Sequence, residues 1–212
     1  MMTFDNKILL STAYLPPIQY ITKFLKYEEI WIEKHESFNK QSYRNRTIIL
    51  TANGPESLVV PVSKNNSRSI KDTQISYDIN WQHVHWNAIV SAYNSSPFFE
   101  ILEDDFKELF HKKTKYLIDF NNKLLLIVLT ILEHVPTIYY TEQFEKIPDN
   151  CLNLREIIHP KPQKTQHDEL FIPCPYTQVF EERFGFVPNL SIIDLIFNCG
   201  SESYEILLKS TR

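Results

Sequence analysis

The chain has 212 residues, of which 43% are hydrophobic and 23% charged, the proportions of one folded domain spanning residues 1–212 rather than of a disordered chain. It carries only three glycines (Gly54, Gly185 and Gly200), no two within ten residues of each other, so a Walker loop and a dinucleotide fingerprint, which need clustered glycines around a phosphate, are both excluded. The net charge of −4 argues against a dedicated nucleic-acid binder.

Lys7 to Leu10 is a short apolar run that predicts a buried strand. Pro16 and Pro17 follow, tolerated in a first helical turn, and Ile18, Ile21, Phe24 and Leu25 repeat at helical spacing, so 17–27 reads as an amphipathic helix. Glu29 to Glu33 alternates and reads as a second strand. Strand, helix and strand in this order imply a parallel β-α-β unit. Thr47 to Leu50 and Leu58 to Val62 are β-rich, and Asn53-Gly54 between them signals a hairpin turn. Gln74 to Ile79 is expected to add a strand, after a polar, mobile loop from Ser63 to Asp72.

The middle of the chain predicts three helices, at 83–93, 98–111 and 117–132, the last apolar on most sides and so buried. Thr137 to Tyr140 reads as a strand. From Gln143 to Pro175 the composition shifts, with five of the twelve prolines between Pro148 and Pro175, and an irregular crossing is expected. The tail reads as two short helices, 190–197 and 202–208, the first capped by Ser191 or Asn189 and ended by Gly200. The fold class is therefore α/β: an N-terminal β-α-β unit and β-hairpin, a helical middle, a proline-rich crossing and C-terminal helices.

The odd number of cysteines (Cys151, Cys174, Cys199), without a C-x-x-C pair, reads as reduced thiols in a cytosolic protein. The N-terminus lacks a signal-peptide pattern, and the longest aliphatic run, Leu124 to Leu129, is far short of the ~20 residues a bilayer needs. A cytoplasmic protein without membrane insertion is expected.

Three constellations carry candidate chemistry. Arg44 and Arg46 share one strand face, and the planar guanidinium suits phosphate or carboxylate; the alternative is two surface arginines paired with carboxylates. Trp81-Gln82-His83-Val84-His85-Trp86 opens a helix on which residues two apart diverge, so no metal site is expected. His85 is the candidate general base, against a partly buried histidine in an aromatic cluster. Asp194 and Asn198 share one face of the tail helix, within an apolar stripe. A buried carboxylate must be paired, so Asp194 is expected to orient His85 or to anchor Arg46, or to form a purely structural salt bridge. Cys174 between two prolines lacks a neighbour that would activate it, and Cys199 reads as a packed residue. Tyr14, Tyr20 and Tyr176 with the three tryptophans line a sugar cleft or simply fill the core.

Several separate motifs then fall in one order. Tyr14-Leu15-Pro16 with Tyr20 is similar to a Q-P-x-x-x-P-x-x-x-Y-F opening. FNKQSYRNR (38–46) resembles an F-x-x-x-S-[WY]-x-N-R signature. Val60-Pro61-Val62, Trp81, His85, Trp86, Ile89, Tyr93 and Ser96-Pro97-Phe98-Phe99 follow, then Leu154-Arg155, Pro160-Lys161, Tyr176, Gln178-Val179-Phe180 and Pro188 to Gly200. In this the chain resembles the WbqC-like family nearly end to end. It departs from the family at Thr12-Ala13, where Gln-Pro is usual, and at Thr47, the third residue of the usual N-R-N.

The resemblance implies a role in bacterial O-antigen or other surface-polysaccharide biosynthesis. It adds weight to Arg44, Asn45, Arg46, Trp81, His85 and Asp194, which sit inside the matching motifs. The expected activity is a transferase passing an acyl or aminoacyl group to an amino sugar that is nucleotide-linked or phosphorylated, with no cofactor. Arg44 and Arg46 would hold phosphate, His85 would take the proton, and Tyr14, Tyr20 and Trp81 would pack the sugar. The alternative is a non-catalytic protein partner of an envelope enzyme, docking through the proline-rich crossing and the aromatic residues.

Overall fold

The computed structural model describes residues 6–63, 69–146, 148, 151–161 and 168–212. Strand β1 (Lys7–Ser11), helix α1 (Ile18–Lys26) and strand β2 (Glu29–Glu33) form the expected unit, with β1 and β2 parallel and in register from Lys7↔Glu29 to Ser11↔Glu33. The hairpin is β3 (Arg46–Thr51) against β4 (Gly54–Val59). Helices α2 (Trp81–Tyr93), α3 (Phe99–His111) and α4 (Leu117–Ile131) fill the middle. Strand β5 (Ile138–Tyr140) adds parallel to β2, and the two-residue β6 (Leu152–Asn153) adds parallel to β1. After them come α5 (Glu181–Phe184), α6 (Ile192–Cys199) and α7 (Ser203–Lys209).

The sheet order is β5-β2-β1-β6. Paired residues of parallel strands point the same way, which sorts the sheet into two faces. Ile8, Leu10, Ile30 and Ile32 face the main core, with α1, α4 and α6. Lys7, Leu9, Trp31, Glu33 and Tyr139 face the other way, and Leu9 is buried without joining that core. Much of the aromatic excess is core: Phe99 and Phe106 meet Phe197 edge-on, and Phe110 meets Phe120.

Four local expectations need correction. The two hairpin turn residues are Ala52 and Asn53, because Thr51 pairs with Gly54; the Thr51 hydroxyl bonds across the turn to the Gly54 carbonyl and fixes that register. Gln74 to Ile79 forms isolated bridges, Gln74 to Tyr116 and Ile75 to Val62, rather than a strand. Of the segment expected to be mobile, residues 64–68 lie outside the described residues, but Ile70–Asp72 is a tight 3-10 turn whose Ile70 is fully buried, its N–H donating to the Glu36 carbonyl. Ser191 stands at the N-cap of α6, yet its hydroxyl donates to the Leu15 carbonyl (3.0 Å) instead of to the helix. Gly200 does end that helix: its φ is +53°, and an added Cβ would lie 2.4 Å from the Phe98 ring.

Candidate functional site

A parallel sheet aims the carboxyl ends of its strands, and the loops that follow them, at one edge. Ligands in such folds bind there, where the strand order reverses. Here the reversal falls at β1, which has β2 on one side and β6 on the other. The residues delivered to this edge are Ser11, Glu33, Thr141, Asn153 and Arg155, joined by Glu36 and Arg44 from the loops after β2 and before β3.

They form one buried polar network. Arg44 donates from Nε to Glu36 Oε1 (2.7 Å), and from Nη2 to Glu36 Oε2 (2.6 Å), Ser11 Oγ (2.7 Å) and Glu156 Oε1 (3.0 Å). Arg155 donates from Nη1 to Glu33 Oε2 (3.1 Å), from Nε to Asn153 Oδ1, and from Nη2 to the Glu145 carbonyl (2.8 Å). Glu33 Oε1 accepts from the Thr141 hydroxyl (2.6 Å) and the His35 N–H (2.7 Å). Glu33, Glu36, Arg44 and Arg155 are all buried, whereas Glu156 is 60% exposed. Burial opposes the Arg44 charge, but the paired Glu36 outweighs it and holds the guanidinium above its ordinary pKa. Tyr20 completes this edge; its hydroxyl donates to the Ser11 carbonyl (2.9 Å), and burial raises its pKa.

The crevice at the reversal point, between Ser11, Tyr20, Tyr43, Arg44 and Arg155, holds only about 20 Å³, room for a water and not for a sugar. Two larger cavities flank the Arg155–Glu33 pair. One, of about 440 Å³, is lined by Glu36, Phe38, Phe144, Lys146, Asn153 and Arg155. The other, of about 550 Å³, lies over the outer face of the sheet and reaches Glu33.

The residues singled out from sequence divide among three places. Arg44 and Tyr20 belong to the edge network. Tyr14, Trp81 and His85 form an aromatic cluster with Phe120, where the Tyr14 hydroxyl lies 2.9 Å from His85 Nδ1 and Trp81 meets His85 edge-on at 5.1 Å. Burial pushes His85 down to about 4. Asp194 and Asn198 lie apart from both on α6. Asp194 accepts from Tyr176 Oη (2.6 Å) and Gln178 Nε2 (3.0 Å), so its partners are neutral donors and not His85 or an arginine, contrary to expectation. Burial pushes its carboxyl up to about 6, against the pull of Tyr176, Tyr93 and Gln178. Asn198 donates to the Asp194 backbone carbonyl (2.7 Å).

Asn45 and Arg46 mount the hairpin. Asn45 Nδ2 donates to the Val60 carbonyl (2.8 Å), and Arg46 pairs with Val59 across the strands. Arg46 Nε is buried with no hydrogen-bond partner among the described residues. Arg44 precedes β3 rather than lying in it, so the two arginines do not share a strand face. No group of three or more His, Cys, Asp or Glu among the described residues is placed to hold a metal ion.

Sequence reasoning passed over Ser11, Glu33, Glu36, Asn153 and Arg155 as site residues. A signal for two of them was present: a β-α-β unit brings the last residues of both strands, Ser11 and Glu33, to the edge where such folds bind ligands. Leu15 is a further mark of the region. It holds φ +39° while fully buried, and its carbonyl accepts from the hydroxyls of Thr47 and Ser191. Backbone in this region is costly for a residue with a Cβ, and those two bonds lock the β1–α1 loop in place.

The fold and this edge define an α/β protein with a small parallel sheet and a buried arginine–glutamate network at its carboxyl end. The chain belongs to the WbqC-like protein family, whose model matches residues 12–170 and 165–206. It is similar to "Uncharacterized protein Rv1507c" of Mycobacterium tuberculosis, at 22% identity over 92% of this chain and 91% of that protein. No solved structure matches. No helix among the described residues is long and apolar enough to cross a membrane.

Proposed function

We propose that this chain is an enzyme of bacterial surface-polysaccharide biosynthesis that binds a phosphorylated or nucleotide-linked sugar and transfers an acyl or aminoacyl group to an amino sugar. The observation that carries the reading is the 440 Å³ cavity at the carboxyl edge of the parallel sheet. Its volume is within the ~300–1,000 Å³ of small-molecule sites. Its lining suits this ligand class: Phe38 and Phe144 offer aromatic faces to a sugar ring, Asn153 and Arg155 offer hydrogen bonds, and Lys146 offers a cation that forms no ion pair among the described residues.

Arg44 stands behind the cavity. Its exposed partner Glu156 is the carboxylate that a substrate phosphate would replace, while Glu36 keeps the guanidinium in place. Tyr20 positions the β1 edge. Tyr14, Trp81 and His85 brace the loop that carries Leu15; Asn45 and Arg46 hold the hairpin; Asp194 and Asn198 hold α6. The function of His85 and Asp194 in this reading is positioning, since both are sealed from the cavity.

Calorimetric titration with UDP-glucose, UDP and glucose 1-phosphate tests the reading. At least one should bind, and Lys146→Ala and Phe38→Ala should each weaken it by about tenfold or more. Absence of binding by all three, or binding indifferent to both variants, would end it.

A further inference from the structure

We propose that the cavity of about 440 Å³ at the carboxyl edge of the sheet holds a nucleobase against the free face of Phe144, so that its ligand is a nucleotide-linked sugar rather than a simple sugar phosphate. This base subsite rests on the reading of the same cavity as a phosphorylated-sugar site. Among the described residues Phe144 is the only exposed phenylalanine, at 52% of its surface. The others are buried or half-buried, since an apolar ring left in water forgoes the gain of burial.

Arg155 fixes this ring. Its guanidinium lies over Phe144, with Cζ 5.1 Å from the ring centre. The guanidinium is itself locked. Nη1 donates to Glu33 Oε2 (3.1 Å) and Nε to Asn153 Oδ1 (3.0 Å), while Nη2 donates to the carbonyls of Glu145 (2.8 Å) and Lys146 (3.2 Å), the two residues after Phe144. One arginine thus ties down both the ring and the backbone that carries it. It covers one face of Phe144, and the other face meets no aromatic ring or cation among the described residues. An aromatic face held in position and open on one side is a stacking platform that needs no ordering when a ligand arrives.

Every nucleobase has a π face, and stacking on an aromatic side chain strengthens binding roughly five- to 150-fold per base. Asn39 lines the same cavity. Its backbone carbonyl accepts from the Ser42 hydroxyl (2.6 Å), while its side-chain amide has no hydrogen-bond partner among the described residues. That amide carries the donor and the acceptor with which an asparagine reads a base edge. The remaining lining suits the rest of such a ligand: Lys146 offers its cation to the diphosphate, and Phe38, packed against the core, offers its ring to the sugar. A simple sugar phosphate would leave the Phe144 platform in water.

Calorimetric titration of the full chain with UDP, pyrophosphate and glucose 1-phosphate tests it. UDP should bind at least tenfold more tightly than pyrophosphate. Phe144→Ala should weaken UDP binding at least fivefold and leave pyrophosphate and glucose 1-phosphate unchanged, with unaltered thermal unfolding. Phe144→Tyr, which keeps an aromatic face, should bind UDP like the parent. Lys146→Ala should weaken all three. If pyrophosphate and glucose 1-phosphate bind and respond to Lys146→Ala, yet UDP gains nothing over pyrophosphate or is indifferent to Phe144→Ala, the base subsite falls and the phosphorylated-sugar reading stands. Equal weakening of all three ligands by Phe144→Ala would also overturn the subsite, because the ring would then shape the cavity rather than carry a base. Absence of binding by all three would end both.

Discussion

Glu33 and Glu36, buried at the edge of the sheet, each meet an arginine, whereas Asp194, buried as deeply among the helices, meets the neutral donors Tyr176 and Gln178. The difference decides what offsets the cost of burial in each region. A guanidinium beside a buried carboxylate supplies an opposite charge and charge-assisted hydrogen bonds together. Neutral donors offset that cost only in part, so the Asp194 carboxyl ends at about 6. His85, bonded to the Tyr14 hydroxyl and also without a charged partner, drops to about 4. The sheet edge thus holds carboxylates beside guanidinium groups, and the helical interior holds single titratable groups beside neutral donors.

Breaking the ionic region should have the largest effect. Arg44→Ala leaves Glu36 buried and uncompensated, which should cost about 3–5 kcal/mol in urea unfolding. Glu36→Ala should cost a similar amount, and the double variant clearly less than the two together. Additive losses would show that the pair is not what holds this edge.

Next is pH. The unfolded chain releases the Asp194 proton near 3.8 and the folded chain near 6. Asp194 therefore contributes stability that is complete below pH 4 and is lost as pH rises through 6. His85 works in the opposite sense: the unfolded ring takes its proton near 6.5 and the folded ring only near 4, so its contribution is complete above 6.5 and lost as pH falls through 4. Each amounts to roughly 3 kcal/mol. The two largely cancel between pH 4 and 6.5 in the intact protein. Asp194→Asn should uncover a stability that rises with pH across that window, and His85→Gln one that falls. Unfolding midpoints from pH 4 to 8 read both, and two variants with the same slope as the parent would refute the assignment.

This contrast also explains what the sequence could convey. Periodicity and turn signals found the β-α-β unit, the hairpin and every helix but the four-residue α5, because each is fixed by residues three or four apart or by alternation. They missed β6, whose two residues pair only because β1 offers a free edge to the proline-rich crossing. The site was legible in part. Asp194 was read as needing a partner and Arg44 as a fork for phosphate or carboxylate, but a guanidinium says nothing about which carboxylate meets it. Arg155 and Glu33 are 122 positions apart, and no local pattern joins them. Asp194 finds its donors at Tyr176 and Gln178 across a loop, and nothing in the α6 stripe specifies them.

Smaller effects sharpen the same comparison. Tyr176→Phe removes one donor from Asp194 and should cost about 1–2 kcal/mol at pH 7, where the carboxylate is charged, and less at pH 5, where it is largely protonated. An equal loss at both pH values would mean that the tyrosine serves packing alone.

The smallest expected change in stability is at Glu156. Its carboxylate is 60% exposed and shares Arg44 Nη2 with Glu36 and Ser11, so Glu156→Gln should alter unfolding by less than about 1 kcal/mol. Its effect on binding should be larger and of opposite sign. With the competing charge removed, Arg44 Nη2 is freer to meet an incoming phosphate, and UDP-glucose should bind several-fold more tightly in calorimetry. Glucose, which has no anion to place there, should be indifferent to the change. If the variant binds UDP-glucose no better than the parent, the phosphate contact belongs to Lys146 and not to Arg44, and the buried arginine is then a strut beneath the cavity rather than part of its surface.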